Sequence, residues 1–227
     1  RYDRAVAGAR QRSVTLPAQL RIGIYSYLIH VVPQVCMAAQ RQFQGVSFDY
    51  VVCRLPETNQ ALTQNKIDIQ LLADCSEPLS SNLDCIPLFH CPNCCKIPQG
   101  HPFYGKEKLR LSDLSHKQVL TLPPDRTQNA ARLDQILRSP ELDIEVIYFE
   151  TPEQAEAISL ARKIPIMTLA LPSEKDCFSV TQLEELSAIK LGMIFRQNDR
   201  EELKPLLDYF QNYFMRHPND FLPMRFL

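Results

Sequence analysis

The stretch "HCPNCCK", His90 to Lys96, holds three of the chain's eight cysteines and one of its five histidines. Thiolate and imidazole groups are the ligands that zinc prefers, and pairs of thiols can also be oxidised to a disulfide. Three interpretations are therefore open: a metal site, a redox pair, or a strand that carries buried thiols. Buried thiols are the simplest of the three, because free cysteine is among the most buried residue types.

The cysteine spacing argues against a metal. Cys91 and Cys94 form a C-x-x-C pair, but no second pair follows, and the next histidine, His101, belongs to a "GHP" turn. Structural zinc sites usually take four ligands from two such pairs, or from one pair and two histidines. In a strand, Cys94 and Cys95 would point to opposite faces. We predict no metal and no cofactor.

Catalytic motifs are also missing from the sequence. It contains no G-x-S-x-G, no H-E-x-x-H and no phosphate-binding glycine loop, and it has only six glycines. We therefore expect a protein that is not an enzyme.

The composition is that of an ordinary globular protein. The 227 residues are 45% hydrophobic and 22% charged, with a formal net charge of -1. That charge predicts weak DNA binding by this chain alone. No apolar run reaches the roughly 18 residues that a membrane span requires, and the N-terminus does not resemble a signal peptide. We expect a cytoplasmic protein that does not enter a membrane.

Strands and helices alternate from Leu20 onwards. The strand "LRIGIY" precedes a helix, "SYLIHVVPQVCMAAQRQF", with Ser26 as the expected N-cap, and Pro33 indicates a kink or a later start of that helix. The strand "VSFDYVVCRL", the helix "PETNQALTQNK" and the strand "IDIQLLA" follow. This order predicts a parallel sheet with right-handed crossovers.

The second half repeats the same design. Two short strands, "CIPLF" and "CCKIP", lead to the strand "KQVLTLP", the helix "TQNAARLDQILRS", the strand "IEVIYFE" and the helix "TPEQAEAISLARK". Two strands, "IPIMTLAL" and "AIKLGMIFR", precede an amphipathic C-terminal helix, "EELKPLLDYFQNYFMRH". Two consecutive units of this kind indicate two α/β lobes.

The order of these motifs resembles the effector-binding domain of LysR-type transcriptional regulators. The matching segments are "LRIGI" followed by Ser26, "QNKIDIQLL", "PLFHCPNCCKIPQGHPF", "LSDLSHKQVLTLPP" and "TPEQAEAISLARKIPIMTLALP". Lys163 and Pro165 stand where that family usually has glycines. The resemblance extends from Leu20 to about His217, and it implies that residues 1–19 are the end of a linker helix and a linker.

The resemblance implies a fold of two Rossmann-like lobes joined by a two-strand hinge, which is the type 2 periplasmic-binding-protein fold. We expect the chain to cross between lobes near residues 89–91 and 188–192. Lobe I would then comprise 20–89 plus 191–227, and lobe II would comprise 90–190. Ligands of open α/β sheets bind beyond the carboxyl ends of the strands, so the cleft between the lobes is the expected site.

Candidate effector-binding residues follow strands that border this cleft: Ser26, Tyr27, Arg54, Leu55, Cys91, Pro123, Pro124, Thr127, Gln128 and Met167. Backbone N–H groups at Ser26 and Tyr27, together with the Ser26 hydroxyl, suit a carboxylate, although plain N-capping also explains Ser26. Thr127 and Gln128 would supply facing donors from lobe II, in a loop that Pro123 and Pro124 stiffen.

The other candidates carry plainer alternatives. Arg54 favours an anionic effector, but a solvated surface arginine is commoner. Met167 is either a wall of the pocket or part of the core. Cys91 is the cysteine nearest the expected crossing between lobes.

The function that the resemblance implies is small-molecule sensing in a bacterial regulator. An anionic or aromatic effector would bind between the lobes and control an N-terminal helix-turn-helix, through which alone the protein would contact DNA. The family also implies a homodimer or homotetramer in which helix 27–43 packs antiparallel against helix 127–138 of a second subunit.

Two alternatives remain open: a solute-binding protein of a transporter, and a cysteine-based redox sensor. Redox-sensing members of the family carry their cysteine pair just after the strand that corresponds to "KQVLTLP". Residues 121–130 of this chain contain no cysteine.

Overall fold

Two mixed β-sheets form the framework of the protein. A computed structural model describes residues 16–29, 31–54, 57–171 and 177–217. Its strands are β1 Gln19–Ile24, β2 Ser47–Val52, β3 Ile69–Asp74, β4 Leu83–Cys91, β5 Asn93–Pro98, β6 Lys108–Leu109, β7 Gln118–Thr121, β8 Glu145–Tyr148, β9 Ile166–Leu169, β10 Phe178–Leu183 and β11 Ile189–Arg196. Its α-helices are α1 Val32–Gln42, α2 Thr58–Thr63, α3 Gln128–Leu137, α4 Pro152–Arg162 and α5 Arg200–Arg216.

The first sheet has the strand order β2-β1-β3-β11-β4. Its first three strands are parallel, as the strand–helix alternation predicts, and β11 runs antiparallel to both β3 and β4. Together with α1, α2 and α5 this sheet makes up lobe I. The apolar face of α5, with Leu203, Leu206, Leu207, Phe210 and Phe214, is buried in its core.

The start of the first helix differs from the prediction. Ser26 opens a 3-10 turn, Ser26–Leu28, without a side-chain cap, and α1 begins only at Val32. Pro33 lies in the first turn of α1, where its missing N–H leaves no hydrogen bond unmade. Ser26 is therefore not the N-cap of α1, and the later start indicated by Pro33 is confirmed.

The second sheet has the order β6-β10-β5-β9-β7-β8 and, with α3 and α4, makes up lobe II. The strand β10, which pairs with both β5 and β6, was not predicted. The signal for it was present, because "FSVTQL" buries Phe178 and Val180 at alternate positions.

Two connections join the sheets. Pro92 separates β4 in the first sheet from β5 in the second, and residues 184–188 lead from β10 back to β11. Two such crossings are the hinge of a periplasmic-binding-protein fold, so the predicted fold class is confirmed.

The cysteines of "HCPNCCK" are core residues. Cys91, Cys94 and Cys95 have no exposed surface, and burial raises the pKa of the Cys91 and Cys95 thiols to about 12. Cys94 packs in the core of lobe I, whereas Cys95 packs in the core of lobe II. The predicted separation of these neighbours onto opposite faces is confirmed, and buried thiols are the interpretation that the structure supports.

Among the described residues, none of the helices is both long and apolar enough to cross a membrane.

Candidate functional site

A cleft of about 420 Å³ lies between the lobes. Tyr25, Thr58, Asn59, Asp74 and Glu77 line it from lobe I. Tyr25 follows β1, Asp74 ends β3 and Glu77 follows it, and Thr58 and Asn59 begin α2. The carboxyl ends of two parallel strands therefore border the cleft, as the fold requires.

Tyr25 forms part of the cleft wall directly after β1. Its hydroxyl lies 2.9 Å from the Thr58 hydroxyl, and only 5% of the residue is exposed. Burial raises the Tyr25 pKa well above its ordinary value, although the bond with Thr58 opposes this shift. Tyr25 is therefore a neutral hydrogen-bonding group at physiological pH.

Two carboxylates stand at the lobe I edge. Asp74 Oδ1 accepts hydrogen bonds from the backbone N and hydroxyl of Ser76, while Asp74 Oδ2 is buried without a partner among the described residues. Burial raises the pKa of Glu77, the N–H of Gln128 opposes that shift, and the charge of Asp74 adds to it. The edge is therefore acidic.

The lobe II wall is the N-terminus of α3. Pro124, Thr127 and Gln128 line the cleft there, which brings three of the predicted effector-binding residues together. Thr127 caps α3, since its hydroxyl accepts a 2.9 Å hydrogen bond from the N–H of Ala130. Helix N-termini favour anions, because their N–H groups and the helix dipole face outward.

A carboxylate of the chain itself takes that anion position. Glu77 Oε1 accepts a 2.6 Å hydrogen bond from the backbone N–H of Gln128. This bond crosses the cleft from lobe I to lobe II. An external anion must displace Glu77 to use the same donor.

The hinge also contacts α3, through Asn93 of "HCPNCCK". Asn93 is fully buried and donates to the Ser187 carbonyl at 2.9 Å, while the Asn129 side chain donates to Asn93 Oδ1 at 3.0 Å. Arg132 of α3 donates to the Ser187 hydroxyl and carbonyl. One helix is thus bonded to both hinge connections.

The structure places other candidates away from the cleft surface. Cys91 has no exposed surface, and Met167 is 4% exposed with its sulfur 3.4 Å from Cys95 Sγ. A ligand in this cleft does not contact either directly, because core atoms cover them. The Arg54 side chain is 79% exposed and faces Glu57 at 4.0 Å, so it is a solvated surface arginine.

Two of the remaining candidates are sequence neighbours of residues that line the cleft. Ser26 is exposed beside the lining residue Tyr25, and Pro123 is half-buried beside Pro124. Leu55 and the side chain of Tyr27 lie outside the described residues.

Sequence reasoning missed Tyr25, Thr58, Asn59 and Glu77. A signal existed for Tyr25 and Glu77, since both follow strands of the predicted parallel sheet and the carboxyl ends of such strands share one edge. No local pattern marked Thr58 or Asn59. In the described ranges, no group of three or more His, Cys, Asp or Glu side chains is arranged to hold a metal ion.

Comparison with known proteins agrees with this architecture. The family described as "LysR substrate binding domain" matches residues 15–163, well over half of the chain. The chain belongs to the LysR substrate-binding domain family. It is accordingly the effector-binding domain of a LysR-type regulator, and the transporter alternative is not supported. LysR proteins are transcriptional regulators rather than enzymes.

Solved LysR structures share the fold at low sequence identity. HinK of Pseudomonas aeruginosa is 18% identical, with a TM-score of 0.73 over 92% of this chain and 75% of that one. An OxyR mutant of Corynebacterium glutamicum is 17% identical, with a TM-score of 0.71 over 94% of this chain and 70% of the other.

The regulatory domain of Synechocystis CcmR, solved in complex with 2-PG, is 12% identical, with a TM-score of 0.68 over 86% of this chain and 96% of its own. No curated protein sequence matches the chain.

Proposed function

We propose that this LysR domain binds a small-molecule effector in the cleft and that binding changes the closure of the two lobes. The observation that carries the proposal is that the cleft has one wall from each lobe, and that α3, the lobe II wall, is hydrogen-bonded to the hinge. A ligand that contacts both walls stabilises one relative arrangement of the lobes by its differential affinity. An N-terminal DNA-binding domain would receive that change.

The proposed effector is a small anion that replaces Glu77 at the N-terminus of α3. Its carboxylate would accept from the Gln128 N–H, and its remaining polar groups would meet the Tyr25 and Thr58 hydroxyls. An aromatic ring would lie against Pro124 and Leu79, which also line the cleft. Arg126 offers little charge to such an anion, because its guanidinium is paired with Glu150.

Gln128 allows a sharp test, because the donor that matters belongs to the backbone. Gln128→Pro removes the N–H, and proline is well tolerated at the first position of a helix. The preceding residue, Thr127, already has the extended backbone that a following proline requires. Gln128→Ala keeps the N–H and is the matched control.

The experiment is native mass spectrometry of the chain with fractionated metabolite pools, followed by titration of the retained compound. We expect a carboxylate or related anion, bound at least about tenfold more weakly by Gln128→Pro than by Gln128→Ala. Equal affinities in these two variants would contradict the proposed site. Retention of cations only would contradict the proposed effector class.

We further propose that residues 19–91 with 189–227 and residues 92–188 move as the two lobes, close to the predicted bounds of 20–89 with 191–227 and 90–190, and that the residues before β1 are linker. Residues 1–15 lie outside the described part. We also propose that the chain acts in the cytoplasm and has no enzymatic activity of its own.

The proposed dimer pairs α1 with α3 of a second subunit in antiparallel fashion. The apolar surface of lobe I supports it: Met37 on α1 is 56% exposed, and Tyr50 and Val52 on the edge strand β2 are 40% and 60% exposed. Exposed apolar side chains in neighbouring elements are typical of association surfaces.

A further inference from the structure

Cys75 and Cys85 form a disulfide in lobe I, with their Cα atoms 6.1 Å apart. Cys75 directly follows β3, and Cys85 lies in β4, so the bridge spans β11, the strand between them. Their separation suits a disulfide without movement of the backbone. The sequence stretch "HCPNCCK" contains neither cysteine.

A glycine makes room for this bridge. A Cβ atom at Gly192 of β11 would overlap the Cys75 sulfur and the Ile86 carbonyl oxygen. The register of β11 against β4 also shifts between Leu191 and Gly192. The sheet is therefore locally shaped around the sulfur of Cys75.

These two cysteines are the accessible pair. Both are half-buried, whereas Cys36, Cys53, Cys91, Cys94 and Cys95 are buried. Burial raises the pKa of the Cys36, Cys91 and Cys95 thiols to about 12, so they supply almost no thiolate at neutral pH. Cys177 is half-buried as well, and it is not part of the disulfide.

The disulfide closes a loop that carries Glu77. Asp74 holds the start of the loop through Ser76, and the Asn59 side chain donates to the Pro78 carbonyl at 2.8 Å. Glu77 lies two residues after Cys75 and bonds to the Gln128 N–H across the cleft. The bridge therefore restricts a loop through which lobe I bonds to α3.

We propose that Cys75 and Cys85 are a reversible redox pair whose disulfide holds Glu77 at the N-terminus of α3. Reduction frees the loop, weakens the Glu77–Gln128 bond and opens that N–H to an anionic effector. The regulatory part of this inference rests on the proposed function of the cleft, whereas the redox chemistry of the pair does not.

The oxidant class is a small disulfide such as glutathione disulfide. The thiolate of one cysteine attacks a sulfur of glutathione disulfide and expels one glutathione thiolate, which leaves a mixed disulfide. The second cysteine attacks the protein sulfur of that mixed disulfide and expels the second glutathione. Two electrons pass to the glutathione disulfide, and the two protein thiol protons go to the two expelled thiolates.

The test equilibrates the 227-residue chain with glutathione at defined ratios of thiol to disulfide. Alkylation of the remaining thiols followed by peptide mass spectrometry reports the state of each cysteine. Hydrogen exchange of the Gln128 amide, measured by NMR, reports the bond across the cleft. We expect Cys75 and Cys85 to oxidise together and reversibly, and the Gln128 amide to exchange roughly tenfold more slowly in the oxidised form.

Three variants separate the steps. Cys75→Ser with Cys85→Ser abolishes the response of the Gln128 amide, and Cys177→Ser, the half-buried matched control, leaves it intact. Glu77→Gln still forms the disulfide but loses most of the response. Wild type in its two redox states supplies the comparison even where a variant folds poorly.

Three results would overturn the inference: Cys75 and Cys85 resist oxidation, they cannot be reduced again, or they oxidise with no change at Gln128. Failure of the proposed function looks different. In that case no anion binds in either redox state, while the Gln128 amide still follows the disulfide.

Discussion

Glu77 in lobe I and Gln128 in lobe II, 51 positions apart, are joined by a 2.6 Å hydrogen bond from the backbone N–H of Gln128 to Glu77 Oε1. The bond places a negative charge at the N-terminus of α3, where helix geometry favours one. The cleft therefore contains its own anion, and effector binding becomes an exchange of one carboxylate for another.

The pKa of Glu77 predicts a distinctive pH dependence. Burial raises that pKa, the Gln128 N–H opposes the shift, and the Asp74 charge adds to it. The native state then binds a proton before the unfolded state does as pH falls. As pH falls from the raised folded pKa to the ordinary glutamate pKa, the free energy of unfolding of wild type should rise relative to that of Glu77→Gln. The rise should be less than about 1 kcal/mol, because the side chain is only half-buried.

Urea unfolding of both proteins at a series of pH values measures this difference. A free-energy difference that does not vary with pH would contradict the raised pKa.

Asp68 should affect the pH dependence of stability in the direction opposite to Glu77. Burial raises its pKa, but hydrogen bonds from Arg21 and Arg196 outweigh burial, and the pKa lies below its ordinary value. Its contribution to stability is fully present above the unfolded pKa and is lost as pH falls through the folded pKa. Asp68→Asn should cost about 3 kcal/mol at neutral pH, because it leaves two arginines without their shared carboxylate.

Asp84→Asn is the control for Asp68→Asn. Asp84 and its partner Arg200 have side chains 32% and 47% exposed, so the loss should stay below about 1 kcal/mol. Both are measured by chemical denaturation, and equal losses would refute a special role for Asp68.

If the proposed dimer forms through α1, a new charge on that helix should weaken the dimer. Met37→Glu places a carboxylate in the proposed interface and should weaken the dimer at least about tenfold. Met215→Glu on α5 is a matched control, since Met215 is 60% exposed and Met37 is 56% exposed. Light scattering after gel filtration measures both, and a monomeric wild type at high concentration would contradict the dimer itself.

Gly192 should tolerate no side chain. In Gly192→Ala, the Cβ atom meets the Cys75 sulfur and two backbone atoms, at Ile86 and Pro87, which cannot all move aside. We expect a loss of about 2 kcal/mol and a lower yield of the Cys75–Cys85 disulfide. Gly105→Ala, with a φ of +81° and nothing within 4 Å, should cost only about 1 kcal/mol and leave the disulfide unchanged.

Replacement of Lys163 by glycine should stabilise the protein. It ends α4 with a φ of 58°, a left-handed conformation that costs non-glycine residues about 1 kcal/mol. Lys163→Gly is expected to raise the midpoint of thermal unfolding. Asn65→Gly, where φ is 55°, should have a smaller effect because asparagine tolerates this region. The reverse order of the two effects would contradict the interpretation.

Local chemistry made much of the architecture predictable. Periodicity located most strands and all five described α-helices, and Pro33 indicated the late start of α1, because each of these signals acts within a few residues. The strand β10 was missed, although Phe178 and Val180 alternate with polar residues, because that alternation breaks at Gln182, before the buried Leu183. For the site, Pro124, Thr127 and Gln128 were predicted on the cleft wall, whereas Tyr25, Thr58 and Glu77 were not.

The sequence by itself determined most of the order of strands and helices, the family, and the separation of Cys94 from Cys95, since side-chain alternation along a strand is a local property. The tertiary structure alone decided which distant groups meet. It removed Cys91 from the cleft by covering it with core atoms, paired Cys75 with Cys85 above Gly192, and brought Glu77 to α3. Those contacts depend on how the chain crosses between two sheets, and no local pattern specifies that path.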